Sequence, residues 1–383
     1  MDINKEALFN LDNKLFEFDS VVVDCVKLDD CFGVILENTG FFPEAGGQGA
    51  DHGDLNGIDV LDVQLTEQGI LHFVKTELPK GTAVHGRLDK EERLRKERNH
   101  TAEHIVSAIV SNLFGYDNVG FHLGENSMDV DFNGAFTPED LHKIEVLANK
   151  AVRDNLEVRT YFPTKEQVGF LTYRSKLELE SPRIVEIVGL DLCACCAPHV
   201  SSTGEIGLIK IIDSYKNRGN TRLTLLAADD ALDYVLNVTR DASKSAAILS
   251  SKPYSVSVAL EKKMKNLEDL SRENGELKRK LAGAVVDTLR ETEDYIVVFT
   301  EGYVAKDVLN KGIKMSKKGV CVFCESGDGY SYSLASEKED MRVLAQKLNK
   351  EFNGKGGGKP ESVMGRITAQ KQQIEEFFLR EKE

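Results

Sequence analysis

Two short stretches, about 90 residues apart, constrain this chain more than anything else in it. In "RNHTAEHIVSAIV", His100 and His104 sit four apart inside an apolar pattern of helical period. In "LDLCACCAPHVSS", Cys195 and His199 repeat that spacing. A helix turns once every 3.6 residues, so the two histidines project from one face and can reach one ion. Zinc binds imidazole nitrogen at ~2.0–2.1 Å and thiolate sulfur at ~2.3 Å, and a His₃Cys set suits it. If the pairs share that ion, the fold must carry a cysteine-rich turn onto a distant helix. Spacing alone does not choose between Cys193, Cys195 and Cys196. Cys193 and Cys196 form a C-x-x-C, as do Cys321 and Cys324 in the apolar "GVCVFCES", which reads as a buried strand. The same helix spells H-x-x-E-H, a zinc-peptidase pattern in which Glu103 would be the general base. That alternative expects a downstream carboxylate ligand and gives Cys195 and His199 no role.

The 383 residues point to two to four domains, and 41% hydrophobic content supports soluble cores. The N-terminus "MDINKEALFNLDNKLFEFDS" is acidic and mixed, unlike a targeting peptide, and no apolar run approaches a bilayer span. The clustered cysteines suit a reducing cytoplasm better than a disulfide framework. Net charge is −14, with 7 basic against 17 acidic residues in positions 1–90. A nucleic-acid partner would therefore be met by local basic patches outside that segment.

Residues 1–90 alternate short β-branched runs with Gly, Asp and Asn turns, which predicts a small antiparallel barrel or sandwich, the barrel being the architecture expected here. Helical periodicity then begins at "DKEERLRKERNH" and ends at Gly115. A second helix opens at Thr137 with Pro138 behind it, and further strands make 91–230 an α+β domain. Residues 231–285 read as a long polar helix. Its seam of Leu267, Leu270, Asn274, Leu277, Leu281 and Ala284 suits either packing on its own chain or a homodimer. Residues 286–383 read as a small α/β domain.

Three motifs carry a resemblance. "TGFFPEAGGQGADHGDL" (Thr39 to Leu55) resembles the glycine-rich signature of the editing domain of alanyl-tRNA synthetases and their free-standing relatives. "HTAEHI" is similar to that family's histidine helix, and "CCAPHVSSTGEIGLIKI" to its cysteine–histidine segment. The tail around "GKGGGKP" resembles the DHHA1 domain that follows such editing domains. The chain is thus identified as resembling the long-form, AlaX-type alanyl-tRNA-editing hydrolases, with no synthetase catalytic domain preceding the motifs.

The resemblance implies zinc-dependent deacylation of tRNA(Ala) mischarged with serine or glycine, in the cytoplasm and away from membranes. It selects Cys195 as the ligand beside His100, His104 and His199. Gly46 and Gly47 become candidates for close approach by the substrate, and Ser127 for contact with a serine hydroxyl. Gln48 and His122 become candidate catalytic residues. Lys355 and Lys359 would flank a flexible, positive glycine loop facing phosphate. This sequence departs from the commoner family pattern at Glu103 and at Cys196-Ala197-Pro198. A tRNA-binding protein with purely structural zinc is the non-enzymatic alternative.

Overall fold

The computed structural model describes residues 6–124, 127–175 and 181–381. Two compact units divide the chain, Met1–Ala242 and Ser243–Glu383. The barrel and the histidine helix, read from sequence as domains 1–90 and 91–230, lie together in the first.

That unit opens with a single helical turn, α1 (Leu8–Leu11), and six strands: β1 (Glu17–Lys27), β2 (Phe32–Leu36), β3 (Gly53–Leu55), β4 (Ile58–Thr66), β5 (Gly69–Val74) and β6 (Ala83–Leu88). They close into a barrel in the order β1-β2-β5-β4-β3-β6. Its interior is Val34, Phe41, Phe42, Leu55 and Val63, none of them exposed. His72 is buried here too, held by Thr39 Oγ1 at Nε2 (2.8 Å) and by the Val34 carbonyl at Nδ1 (3.0 Å).

Helix α2 (Lys90–Phe114) follows at once. The Asp89 side chain caps it by accepting from the Glu92 N–H, and Gly115 closes it in the left-handed region at φ 69°. Then come β7 (Asn118–Leu123), β8 (Met128–Phe132), α3 (Pro138–Asp154), β9 (Val158–Tyr161) and the turn α4 (Lys165–Val168). They are followed by β10 (Ile184–Ile187), β11 (Asp191–Ala194), β12 (Ile209–Asn217), β13 (Asn220–Ala227) and α5 (Ala228–Leu249). The strands form a sheet ordered β12-β13-β8-β7 and a smaller one ordered β11-β10-β9. Thr137 caps α3 as expected, and with Asp140 it builds a capping box. A second core gathers Ile105, Val106 and Ile109 of α2 with Val130, Ile144 and Leu223. Cys195 packs against this core and against the barrel core.

The polar helix expected over 231–285 is two helices. Helix α5 stops at Leu249, and α6 (Val256–Asp287) starts after a short turn containing Pro253. Ser250 in that turn has φ 53°, and proline offers no N–H to continue the helical ladder.

The second unit continues with β14 (Tyr295–Phe299), α7 (Ala305–Gly312), β15 (Gly319–Ser326), β16 (Gly329–Ala335), α8 (Met341–Glu351), β17 (Lys355–Lys359), β18 (Ser362–Ile367) and α9 (Lys371–Arg380). Its sheet runs β14-β15-β16-β18-β17, parallel only between β14 and β15. Cys321 and Cys324 are buried in β15, as the apolar run around them implied.

The flexible loop expected at Lys355–Lys359 is instead an edge strand, paired with β18 residue for residue. Close packing explains it. A Cβ on Gly356 would strike the Tyr332 hydroxyl, and one on Gly358 would strike the Ser362 carbonyl. Gly356 and Gly358 let β17 lie flush, and pairing overrides the freedom of the glycine run.

Candidate metal centre

Helix α2 is unusual in burying its polar face. Arg93, Lys96, Glu97, Asn99, His100, Thr101, Glu103, His104 and Ser107 are all buried. Charged groups inside a protein need partners, and the glycine-rich segment supplies them. Arg93 pairs with Asp51 and donates from Nη2 to the Gly40 carbonyl at 2.7 Å. Lys96 donates to the Ala50 carbonyl at 2.5 Å. Asp51 also accepts from the Phe42 N–H at 2.7 Å. The segment from Gly40 to Asp51 is therefore strapped onto the first turns of α2, and the strap ends against the histidines.

Gln48 is fully buried, and its Oε1 accepts from His100 Nδ1 at 2.8 Å. Thr101 donates to the Glu97 carbonyl at 2.7 Å, so toward His199 Nδ1 at 2.9 Å its hydroxyl is the acceptor. Both contacts place the ring proton on Nδ1 and leave Nε2 unprotonated. Those Nε2 atoms turn toward Cys195 Sγ, at 3.5 Å for His100 and 3.4 Å for His199. The third imidazole, His104, has Nδ1 3.3 Å from Asp191 Oδ2, an approach too poorly aligned for a formed hydrogen bond but close enough to orient the ring by charge. Arg174 grips that carboxylate with Nε and Nη2 at 2.8 and 2.7 Å.

The ligand atoms of His100, His104, Cys195 and His199 all lie within 4.8 Å of one another. A nitrogen and a sulfur bound tetrahedrally to one zinc ion would be separated by about 3.5 Å, which is the spacing found. His104 also falls in a group with Asp191 and Cys193, but both oxygens of Asp191 are engaged by Arg174. The four-residue set is the better cage. Burial sets its electrostatics. It drives His199 well below the ordinary imidazole value, helped by the neighbouring histidines. It also pushes the Cys195 thiol up to about 11. For Asp191, burial raises the pKa, yet Arg174 and His104 outweigh it and hold the carboxylate at about 2.

The cysteine–histidine turn is fixed from outside the motif. Arg183, itself buried, donates through Nη1 to the carbonyls of Cys195 (3.1 Å) and Ala197 (2.8 Å). Asn13 donates to the His199 carbonyl at 2.6 Å. Glu205 of "TGEIG" accepts from the N–H groups of Ser201 and Ser202 at 3.0 and 3.1 Å. These supporting residues were not foreseen, since nothing in an isolated Arg or Asn marks it as a turn clamp. Thr101, lying between the histidines, was the findable one.

Other expected site residues fall at differing distances from the cluster. Gly46 faces Cys196 and Gly47 packs on β7, both with positive φ (63° and 85°). A Cβ on Gly47 would collide with the Phe121 carbonyl, so close approach of backbone explains this glycine. Phe121 lies against His100, ring centroids 4.7 Å apart. His122, next along β7, points to the opposite face and is exposed. Ser127 closes the β7–β8 turn, its carbonyl accepting from the Gly124 N–H at 2.9 Å.

Residues 183–224, which include Cys195 and His199, match the family model described as "Threonyl and Alanyl tRNA synthetase second additional domain". Residues 274–380 match "DHHA1 domain". The chain is 28% identical over 389 residues to "Alanyl-tRNA editing protein AlaX-L" of Pyrococcus horikoshii, covering 96% of each. It is 27% identical over 379 residues to "Alanyl-tRNA editing protein Aarsd1" of Danio rerio, covering 92% of each. An "Alanine--tRNA ligase" of Halorubrum lacusprofundi is 31% identical over 293 residues, 73% of this chain and 32% of that protein.

Proposed function

The chain belongs to the family of alanyl-tRNA-editing proteins, and on that premise we propose that it hydrolyses the ester joining a wrong amino acid to tRNA(Ala). Serine is the principal substrate residue and glycine the second. The observation that supports this reading most is the convergence of His100, His104, Cys195 and His199 beside the glycine strap. Their soft-and-imidazole chemistry, spacing and preset Nδ1 protons fit zinc. When bound, zinc supplies a Lewis acid that polarises a carbonyl or lowers the pKa of water.

The protein's own groups do the remainder. Gln48 Oε1 fixes His100, while its Nε2 is buried without a partner among the described residues and serves as a donor to the aminoacyl end. Gly46 and Gly47 offer a wall without side chains, and Ser127 is the candidate partner for a serine hydroxyl. A site built to hydrogen-bond a hydroxyl rejects the analogue lacking it strongly. His122, on the outer face of β7, is better placed to meet the tRNA than the reacting ester.

In the second unit the outer face of β17 and β18 carries Lys355, Gly357 and Lys359 opposite Arg366, Met364 and Ser362. All six are exposed. A Cβ on Gly357 would meet nothing within 4 Å, so no packing inside the protein demands a glycine there. This basic, partly bare surface is our candidate contact for the tRNA backbone. We further assign the exposed leucines of α6 to a homodimer seam. A peptidase would leave Cys195 and His199 unused, although they close on the same point as the helix histidines.

The test is deacylation of Ser-, Gly- and Ala-tRNA(Ala) by the wild-type protein and by His104→Ala, with metal content measured on both. Turnover of the seryl ester that disappears together with the metal supports the reading. Equal turnover by both proteins removes the metal centre from the chemistry, and salt-sensitive tRNA binding without turnover makes the zinc structural.

A further inference from the structure

Glu103 is a carboxylate at the cluster that the metal cage does not explain. It is only 4% exposed. Its Oε1 accepts from the Ser107 hydroxyl and from Asn118 Nδ2 (2.6 Å), which locks the side chain in place. Its Oε2 lies 3.8 Å from His104 Nε2. That is too long for a hydrogen bond between them, so Oε2 keeps its lone pairs for a third molecule at the cluster. The other acids nearby are committed elsewhere. Asp191 is held by Arg174 through both oxygens, and Glu97 lies beside the buried Arg93 guanidinium, Nη1 3.8 Å from Oε1, as an ion pair without a hydrogen bond.

We propose that Glu103 Oε2 is the catalytic base of the deacylation, an inference that rests on the editing reading above. A water O–H bond breaks and its proton moves to Oε2, while the water oxygen bonds to the ester carbonyl carbon. Collapse of the adduct breaks the bond from that carbon to the ribose oxygen. The proton on Oε2 passes to the departing ribose oxygen, which restores the carboxylate and releases the free amino acid. The helix makes this economical. Positions 100 and 104 share a face, and 103 is one residue from the second ligand, so one element delivers ligands and base together.

The test compares wild type with Glu103→Gln, which keeps the shape, Glu103→Asp, which withdraws the carboxylate, and Glu103→Ala with and without added formate. Four quantities are read: single-turnover deacylation of Ser-tRNA(Ala), zinc content, thermal midpoint, and Kd for a non-hydrolysable 3′-amide analogue of seryl-adenosine. Expected is a loss of roughly 100-fold or more in rate for Glu103→Gln. Zinc content, midpoint and analogue Kd should stay within about twofold, Glu103→Asp should retain an intermediate rate, and formate should partly restore Glu103→Ala. Wild-type and Glu103→Gln rates within threefold of each other would overturn the proposal, and so would zinc loss that accounts for the whole defect. A wild-type protein with no turnover would overturn the editing reading and this inference with it.

Discussion

At the scale of single residues, the centre is held by groups that touch the ligands rather than by the ligands alone. Gln48 fixes the tautomer of His100, and Thr101 that of His199. Removing such a partner typically costs 10–100-fold in metal affinity. Gln48→Leu should therefore bind zinc about that much more weakly in a chelator competition, with the fold intact by circular dichroism. A leucine variant with wild-type affinity would mean that the 2.8 Å contact to His100 does not orient the ring. A second residue-scale effect concerns acid. Burial lowers His72 from 6.5 to about 4, against the opposing hydrogen bond to Val34. The unfolded chain takes this proton first, so stability present above pH 6.5 is lost as pH falls toward 4. Thermal midpoints of wild type should fall more steeply across that window than those of His72→Gln. That His100 and His104 share a face was legible because a spacing of four expresses helix geometry directly, whereas Cys195, in a turn, came only from the family resemblance, since spacing left Cys193 and Cys196 open. Asp191, Arg174, Arg183 and Asn13 were not, because their roles exist only after the turn has met the helix.

At the scale of elements, glycines separate two kinds of design. Gly47 combines φ 85° with a Cβ position blocked by the Phe121 carbonyl. Gly47→Ala should lose roughly 1–2 kcal/mol from the left-handed backbone alone, with more from the collision, measurable by denaturant unfolding. Gly357 lies in an extended strand with open space around it, and Gly357→Ala should change stability by no more than about 0.5 kcal/mol. If it nevertheless weakens tRNA binding in a filter assay, the bare surface on β17 is a contact; unchanged binding would discard that assignment. The sequence marked these positions as glycine but not which constraint each obeys, and it made a loop of what sheet pairing turns into a strand. Very short strands such as β3 and β11 were equally hard to see, since three or four residues establish no alternation. Helices α2 and α3 were plain, because their caps at Gly115 and Thr137 are written locally.

At the scale of the whole molecule, composition and periodicity foresaw a barrel, an α+β layer, a polar helical stretch and a small α/β domain. They did not foresee that barrel and helix would form one compact unit, which depends on buried pairs such as Arg93 with Asp51. The exposed seam on α6 remains an unspent apolar feature. Leu267, Leu270 and Leu277 are 60%, 60% and 57% exposed. Sedimentation velocity should report a dimer that Leu270→Glu with Leu277→Glu converts to monomer, with deacylation by unit 1 retained; a wild-type monomer at micromolar concentration would refute the seam. The strap from Gly40 to Asp51 has one more implication. Because an amide from the barrel side seats a histidine on the helix side, occupancy of the cage registers whether both halves of that unit have come together. On the zinc reading proposed above, metal content in a preparation is then a gauge of correct assembly, and a protein that has begun to come apart should surrender its ion before its helices melt.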